Sequence, residues 1–215
     1  MPVIEMVNQE TVLIPRLMIL RGSPGVGKST VSSKICAINS AKKKTYISVD
    51  AMQHMDLRAQ SKNKEKLGIK NAGLLAQSFL SEGFDVVLDY VFDETEDLTT
   101  LVDSICDGLA KTSVRFYLQM FYLDAPIERV VKRNQSRSGK RGEYMNTALL
   151  RKLYNKVELT KATVPHEIII NTTSLSAKQT ARTIISCNKA LLNGIDPMDV
   201  VLPEVDVARA LESDD

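Results

Sequence analysis

Nine consecutive residues near the N-terminus combine glycines, a lysine and hydroxyl side chains in a pattern that can bind phosphate. The stretch GSPGVGKST fits G-x-x-x-x-G-K-[ST]. Its glycines allow backbone N–H groups to converge on phosphate oxygens, and a following helix would point its positive end at the same place. Lys28 would reach the β- and γ-phosphates and Ser29 would ligate Mg²⁺. The residues expected to bind a nucleoside triphosphate are Gly22, Ser23, Pro24, Gly25, Val26, Gly27, Lys28, Ser29 and Thr30.

The use of the γ-phosphate depends on residues outside this loop. An oligomeric ATP motor would normally need a longer chain, with room for a lid domain and for residues that couple neighbouring subunits, and 215 residues leave little room for them. The guanine-binding sequence Asn-Lys-x-Asp, expected of a GTPase, does not occur. These comparisons favour the small kinases, in which the γ-phosphoryl group moves to a bound acceptor.

Two aspartates follow predicted strands at the edge of the sheet where the loop opens. Asp50, in YISVD, could take the proton of an acceptor hydroxyl or could cap the next helix, since Asp is a favoured N-cap. Asp89, in VVLDY, lies where many P-loop proteins have an acidic residue for Mg²⁺. It could hold the metal shell through water or contact the acceptor. We therefore expect Asp50 to be catalytic and Asp89 to join Ser29 as a metal residue.

A basic segment of about residues 132–146 is predicted to form a hinged lid. Arg133 and Arg137 are four residues apart on a predicted helix and project from one face, as a pair that grips a triphosphate would. Glycines in the following SGKRG permit a hinge. A solvated basic face is the alternative. Lys140 and Arg141 could instead contact an anionic acceptor.

Five apolar runs rich in β-branched and aromatic residues alternate with segments of helical spacing. This alternation predicts an α/β P-loop NTPase fold, with a mainly parallel five-stranded sheet and helices on both faces. Ligands of such sheets bind beyond the carboxyl ends of the strands. The predicted strands lie in RLMILRG, TYISVD, DVVLDY, VRFYLQMFYLD and EIIINT.

Length and composition indicate one domain. We expect a P-loop domain over residues 1–195 and an acidic tail over residues 196–215. No apolar run approaches the roughly 20 residues of a membrane-spanning helix, and the N-terminus does not resemble a secretory signal. Three unequally spaced cysteines favour reduced thiols in the cytoplasm. The net charge of +2 does not by itself indicate nucleic-acid binding, although basic residues crowd between residues 132 and 161.

Together these motifs resemble the kinase domain of the bacteriophage polynucleotide 5′-kinase family, within the group of zeta-toxin-like and chloramphenicol-phosphotransferase-like P-loop kinases. The resemblance rests on GSPGVGKST, on ISVD and on VVLD. It continues in ERVVKRNQSR and, loosely, in LLRKLYNKVE, and it spans residue 16 to about residue 158. It implies ATP and Mg²⁺ as cofactors, Asp50 as the general base, and Arg133 and Arg137 as lid contacts to the donor phosphates. A virus-encoded protein would act in the host cytoplasm.

The acceptor site departs from the resemblance at one position. The polynucleotide kinases usually carry Asp-Asp-x-Arg after the second strand, and their arginine helps to hold the nucleic-acid backbone, whereas this chain reads Asp50-Ala-Met-Gln53. The first hypothesis is an ATP-dependent kinase of a nucleic-acid hydroxyl, either a 5′ end or a hydroxymethylated base. The alternatives are a kinase of a nucleotide, sugar or antibiotic hydroxyl, and a nucleotide-dependent switch without an acceptor.

Overall fold

Five parallel strands form the central sheet of the computed structural model, which describes residues 14–40, 42–57, 60–110, 112, 114–137, 145–187 and 191–192. The strands lie side by side in the order β2-β3-β1-β4-β5, so the first strand is central. A further strand, β6, pairs antiparallel with the start of β4. The strands are β1 (Arg16–Arg21), β2 (Lys44–Ser48), β3 (Asp85–Asp89), β4 (Tyr117–Asp124), β5 (Ile168–Asn171) and β6 (Leu191–Leu192).

Seven helices accompany the sheet within the described residues. The phosphate loop leads from β1 directly into the first helix, and two helices follow β2 before the chain enters β3. The helices are α1 (Lys28–Ala37), α2 (Val49–His54), α3 (Lys62–Ser81), α4 (Thr95–Ala110), α5 (Ile127–Arg137), α6 (Thr147–Glu158) and α7 (Ala177–Ser186). None of the described helices is long and apolar enough to cross a membrane.

Two apolar clusters cover the two faces of the sheet. One joins side chains of β1, β3 and β4 to α3 and α4, with Ile69, Leu80 and Leu101 among its buried members. The other joins the opposite face of the same strands to α1, α5, α6 and α7. Alternate residues of β1 enter alternate clusters because successive side chains of a strand point to opposite faces. Burial on both faces explains why these strands are continuously apolar.

The predicted fold is confirmed, with one strand added. Each of the five predicted apolar runs corresponds to one parallel strand, with β2 beginning one residue before its run, and helices lie on both faces. The short strand β6 was not predicted, because two residues give no periodic pattern. The proposed domain limits stay predictions: residues 196–215 lie outside the described part of the chain, and so do residues 138–144 of the expected lid.

Candidate active site

The phosphate loop leaves the end of β1 through a backbone that only glycine adopts easily. Gly22 has φ +135°, and a Cβ atom there would lie 2.5 Å from the carbonyl oxygen of Leu123 on β4. Gly27 has φ +115° and occupies the N-cap of α1. Because Gly27 has no side chain to cap α1, the N–H groups in the first turn of this helix form an end that suits an anion.

Lys28 and Ser29 occupy the first turn of α1 but have different surroundings. Lys28 is buried, and its Nζ donates hydrogen bonds to the carbonyl oxygens of Gly22 (2.9 Å) and Ser23 (3.1 Å). Its ammonium group therefore lies within the turn that would surround the phosphates. Ser29 is exposed, and its Oγ donates to Asp89 Oδ2 at 2.9 Å.

Asp89, the last residue of β3, accepts a hydrogen bond on each carboxylate oxygen. Besides the bond from Ser29, its Oδ1 accepts one from the hydroxyl of Tyr46 at 2.7 Å. Burial raises the pKa of the Asp89 carboxyl, since the residue is 1% exposed, while Tyr46, Lys28 and Ser29 favour the charged form. Burial also raises the pKa of Tyr46 to about 12, with a further contribution from Asp89.

These oxygen atoms fit a Mg²⁺ site that is completed by a ligand. Ser29 Oγ and Asp89 Oδ2 are the hard oxygen donors that Mg²⁺ prefers. Within the described residues, no group of three or more His, Cys, Asp or Glu side chains is positioned to hold a metal by itself. Such a site relies on water and on the phosphate oxygens of a bound nucleotide, which is how Mg²⁺ is commonly held in kinases.

Asp50 lies in the first turn of α2 and does not cap this helix. The strand β2 ends at Ser48, whose Oγ accepts the backbone N–H of Ala51 at 3.4 Å as the N-cap contact. The carboxylate of Asp50 is exposed and lines a cavity of about 650 Å³. Ser48 therefore caps α2, and the alternative that Asp50 is the cap is wrong. Asp50 borders the space in which an acceptor would lie.

The cavity that Asp50 lines, which we call the acceptor cavity, is bordered by the phosphate loop, by α2 and by the start of α6. His54 lies one helical turn after Asp50, is exposed and lines the same cavity. The contribution of Tyr46 and of α6 was missed, because it depends on contacts between segments distant in sequence. The lining residues are Ser29, Tyr46, Ser48, Asp50, Ala51, His54, Met145, Asn146 and Leu149.

A second space of about 340 Å³, which we call the donor cleft, is lined by Gly25, Val26 and Gly27 of the loop and by residues of α1, α5, α7 and the segment after β5. Arg133 on α5 borders this cleft. Its Nη1 donates to the carbonyl oxygen of Val26 (2.7 Å) and to Thr172 Oγ1 (3.1 Å), and its Nη2 donates to the carbonyl oxygen of Thr172 (2.7 Å). Arg133 thus joins the phosphate loop to the segment after β5. Its predicted contact with the donor phosphates stays a prediction.

The other expected lid residues are only partly described. Arg137 is the last residue of α5, and its side chain lies outside the described part of the structure. Lys140 and Arg141 lie outside the described residues altogether. The pairing of Arg133 with Arg137 on one helix face therefore remains a prediction from their spacing.

Gln53, at the position where the resemblance expects an arginine, lies on α2 and its side chain is buried. Its Nε2 donates to the hydroxyl of Tyr90 at 2.8 Å. The Tyr90 ring packs edge to face on Phe92, with ring centroids 5.1 Å apart, and both rings are buried. These aromatic residues therefore belong to the core and do not present a face for a nucleic-acid base.

The fold and the site together define a P-loop nucleoside-triphosphate-binding domain of the kinase-like kind. Residues of its phosphate loop line two cavities at the carboxyl edge of a parallel sheet. The chain belongs to the AAA_33 family, described as an AAA domain, which matches residues 17–160. Comparison with curated protein sequences gives no match.

Solved structures with the same fold include an RNA repair complex and two kinases. One is the Pnkp1/Rnl/Hen1 RNA repair complex, at 21% identity and a TM-score of 0.58, where 73% of this chain covers 48% of that chain. A gluconokinase from Sinorhizobium meliloti follows at 15% identity and a TM-score of 0.53, covering 79% and 89% of the two chains. The Mycobacterium tuberculosis APS kinase CysC, in complex with AMPPNP and APS, has 14% identity, a TM-score of 0.55 and coverage of 80% and 96%.

The structural similarity defines the fold and leaves the acceptor open. This chain spans about half the length of the RNA repair protein chain that it resembles. The narrower resemblance to bacteriophage polynucleotide kinases stays a prediction.

Proposed function

We propose that this protein is an ATP-dependent kinase that transfers the γ-phosphoryl group of ATP to a hydroxyl group of an acceptor. The observation that carries the proposal is that Ser29 of the phosphate loop and Asp50 of α2 line the same cavity. The reacting phosphoryl group and a carboxylate base would therefore face one acceptor. A switch without an acceptor has no need for such a carboxylate-lined cavity beside its loop.

Each residue has a distinct part in the proposed transfer. Asp50 accepts the proton of the acceptor hydroxyl as the new O–P bond forms and the bond between the γ-phosphorus and the bridging oxygen breaks, with ADP leaving on that oxygen. Lys28 lies where its ammonium group would bind the β- and γ-phosphates. Ser29 and Asp89 would hold Mg²⁺, which would neutralise the negative charge of the phosphates.

A nucleic-acid hydroxyl is the first acceptor that we propose, at a 5′ end or on a hydroxymethylated base. Exposed basic side chains at the start of the expected lid and on the helix after it support this acceptor: Lys132 on α5, and Arg151 and Lys152 on α6. Such side chains would contact phosphates of the acceptor strand. The similarity of the fold to the RNA repair complex agrees with this acceptor.

A small-molecule hydroxyl is the second candidate, and the burial of Gln53 favours it. Position 53, where polynucleotide kinases have an arginine, is a glutamine whose side chain is buried and bonded to Tyr90, so α2 presents no arginine to the cavity there. Several polar but uncharged groups line the cavity, namely Ser48, Tyr46 and Asn146. They suit the hydroxyl groups of a sugar or nucleoside, and the fold is shared with a gluconokinase and an APS kinase.

Transfer of label from γ-labelled ATP separates these acceptors. We expect single-stranded DNA or RNA with a 5′-hydroxyl to be labelled, and the same oligonucleotide with a 5′-phosphate to stay unlabelled. A 5′-phosphorylated DNA with hydroxymethylated bases tests the other nucleic-acid hydroxyl. Rising salt should weaken nucleic-acid binding. A plot of the logarithm of the binding constant against the logarithm of the salt concentration should have a slope of about −0.7 per phosphate contacted on a single strand.

Two results would count against this assignment. Label found only in a pool of nucleotides, sugars and antibiotics would replace the nucleic-acid acceptor by the small-molecule one. A sample that binds ATP but labels none of these acceptors would contradict the kinase proposal itself.

A further inference from the structure

Tyr46 lies on β2, yet its hydroxyl reaches the carboxylate at the end of β3. In the pairing of these strands, Tyr46 is opposite Val87 and Ser48 is opposite Asp89. Tyr46 and Ser48 point to the same face because side chains alternate along a strand. The Tyr46 side chain therefore extends diagonally along this face to donate to Asp89 Oδ1 at 2.7 Å.

The contact from Tyr46 completes the hydrogen bonding of a deeply buried carboxylate. Asp89 is 1% exposed, and Ser29 donates only to its Oδ2. Without the tyrosine hydroxyl, Oδ1 would lose its donor and the carboxylate could rotate, since the terminal torsion of Asp is broad. The two contacts together fix the plane of the carboxylate.

The direction of the hydrogen bond limits what else Tyr46 can do. A tyrosine hydroxyl has one hydrogen, and here that hydrogen is donated to Asp89. Although Tyr46 lines the acceptor cavity, its hydroxyl can only accept a further hydrogen bond from a molecule bound there. Its main interaction is thus directed toward the Ser29–Asp89 pair and not toward the acceptor.

We propose that Tyr46 is a positioning residue, which orients Asp89 so that Asp89 and Ser29 together hold the Mg²⁺ of the bound nucleotide. The proposal rests on the proposed function, because it takes Mg²⁺-bound ATP as the donor. Removing a group that hydrogen-bonds to a metal ligand and orients it typically lowers the affinity for the metal by about 10- to 100-fold.

Calorimetric titration with AMPPNP, in the presence of Mg²⁺ and of EDTA, tests this proposal. In the wild-type protein we expect Mg²⁺ to tighten AMPPNP binding. In Tyr46→Phe we expect this gain to shrink about tenfold while the affinity in EDTA is unchanged. Tyr117→Phe, at the opposite end of the sheet, is the matched control and should behave as wild type. Mn²⁺ bound per nucleotide complex, measured by electron paramagnetic resonance, should fall in parallel.

A double substitution shows whether Tyr46 acts through Asp89. If it does, Tyr46→Phe should have no further effect on Mn²⁺ binding in an Asp89→Asn background. An unchanged Mg²⁺ gain in Tyr46→Phe would overturn the proposal. So would an equal loss of AMPPNP affinity in EDTA, because that result would indicate damage to the loop. A wild-type protein whose AMPPNP binding ignores Mg²⁺ would contradict the proposed function itself, and the proposal for Tyr46 with it.

Discussion

At the residue scale, the guanidinium of Arg133 connects two segments that both border the donor cleft. Its hydrogen bonds reach the carbonyl oxygen of Val26 in the phosphate loop and both oxygens of Thr172 after β5. A planar fork of donors can make these contacts at once, whereas a lysine ammonium is a single point charge. The position of the loop relative to the cleft thus depends on the arginine itself and not only on its charge.

We therefore predict that Arg133→Lys lowers the affinity for AMPPNP about tenfold, because hydrogen bonds of a charged group contribute about 1.5–3 kcal/mol. Fluorescence titration with a labelled ATP analogue measures this. Arg129→Lys, one turn earlier on the same helix and also on the cleft wall, is the control and should have a smaller effect. Equal effects of the two substitutions would contradict the bridging role.

Some residue roles could be predicted from sequence, and others could not, for a physical reason. The phosphate loop was predictable because its glycines, Lys28 and Ser29 act through local backbone geometry. The cap of α2 was not, since it depends on where β2 ends, and Ser48 takes that role. The contacts of Tyr46 and Gln53 depend on which strands and helices become neighbours, and local sequence does not specify this.

At the element scale, the junction between β1 and α1 positions the loop by a close approach to β4. A side chain at position 22 would overlap the Leu123 carbonyl oxygen, while nothing lies within 4 Å of a Cβ atom built at Gly27. Both glycines have positive φ, so both substitutions introduce backbone strain, but only Gly22 adds a steric overlap. A comparison of substitutions at Gly22 and at Gly27 therefore separates the energetic cost of backbone strain from that of steric overlap.

We predict that Gly27→Ala lowers the free energy of unfolding by about 1–3 kcal/mol through backbone strain alone. Gly22→Ala should cost at least about 2 kcal/mol more, because the added methyl group meets the backbone of a central strand. Urea denaturation of both variants measures the difference. Equal losses of stability would contradict the close packing of this junction against β4.

The elements themselves follow from their local patterns. Runs of apolar residues with β-branched and aromatic side chains gave five strands in the correct places, since burial on both faces makes parallel strands apolar throughout. Their order in the sheet was not predicted, because it reflects packing across the whole chain. The sixth strand arises where β5 leaves the start of β4 unpaired, and no local signal marks such a position.

At the scale of the whole molecule, the network around Tyr90 connects folding to pH. Burial raises the pKa of Tyr90 to about 12, and Glu65, Asp50 and Asp93 add to the rise while the hydrogen bond from Gln53 opposes it. The unfolded chain releases this proton near pH 10, whereas the folded protein keeps it to about pH 12. Between these values the folded state binds more protons, so the contribution of Tyr90 to stability is lost as pH rises.

We accordingly predict that the free energy of unfolding falls less steeply from pH 10 to pH 12 in Tyr90→Phe than in the wild-type protein. Below pH 9 the variant should be less stable by a constant amount, because Gln53 loses its acceptor. Urea denaturation at closely spaced pH values measures both effects. Parallel curves for the two proteins across this range would contradict the assigned pKa shift.

The arrangement of the whole sheet brings the donor and acceptor sides together. The carboxyl ends of β1, β2 and β3 meet at one edge, so the loop, Asp50 and Asp89 surround one position although they are distant in sequence. Sequence reasoning placed these groups at that edge because ligands of parallel sheets bind there. The acceptor remained open because it depends on the shape and the polar groups of the whole cavity.

The comparison of wild type with Asp50→Asn tests the central claim most directly. It measures transfer of label from γ-labelled ATP to an acceptor hydroxyl beside AMPPNP affinity, and Lys28→Ala serves as a control that should damage both. We predict that the wild-type protein transfers label and that Asp50→Asn loses about 10²–10⁴-fold in rate while it binds AMPPNP normally. Transfer at the wild-type rate in Asp50→Asn would contradict the assignment of Asp50 as the base, and tight ATP binding without transfer to any acceptor hydroxyl would contradict the kinase.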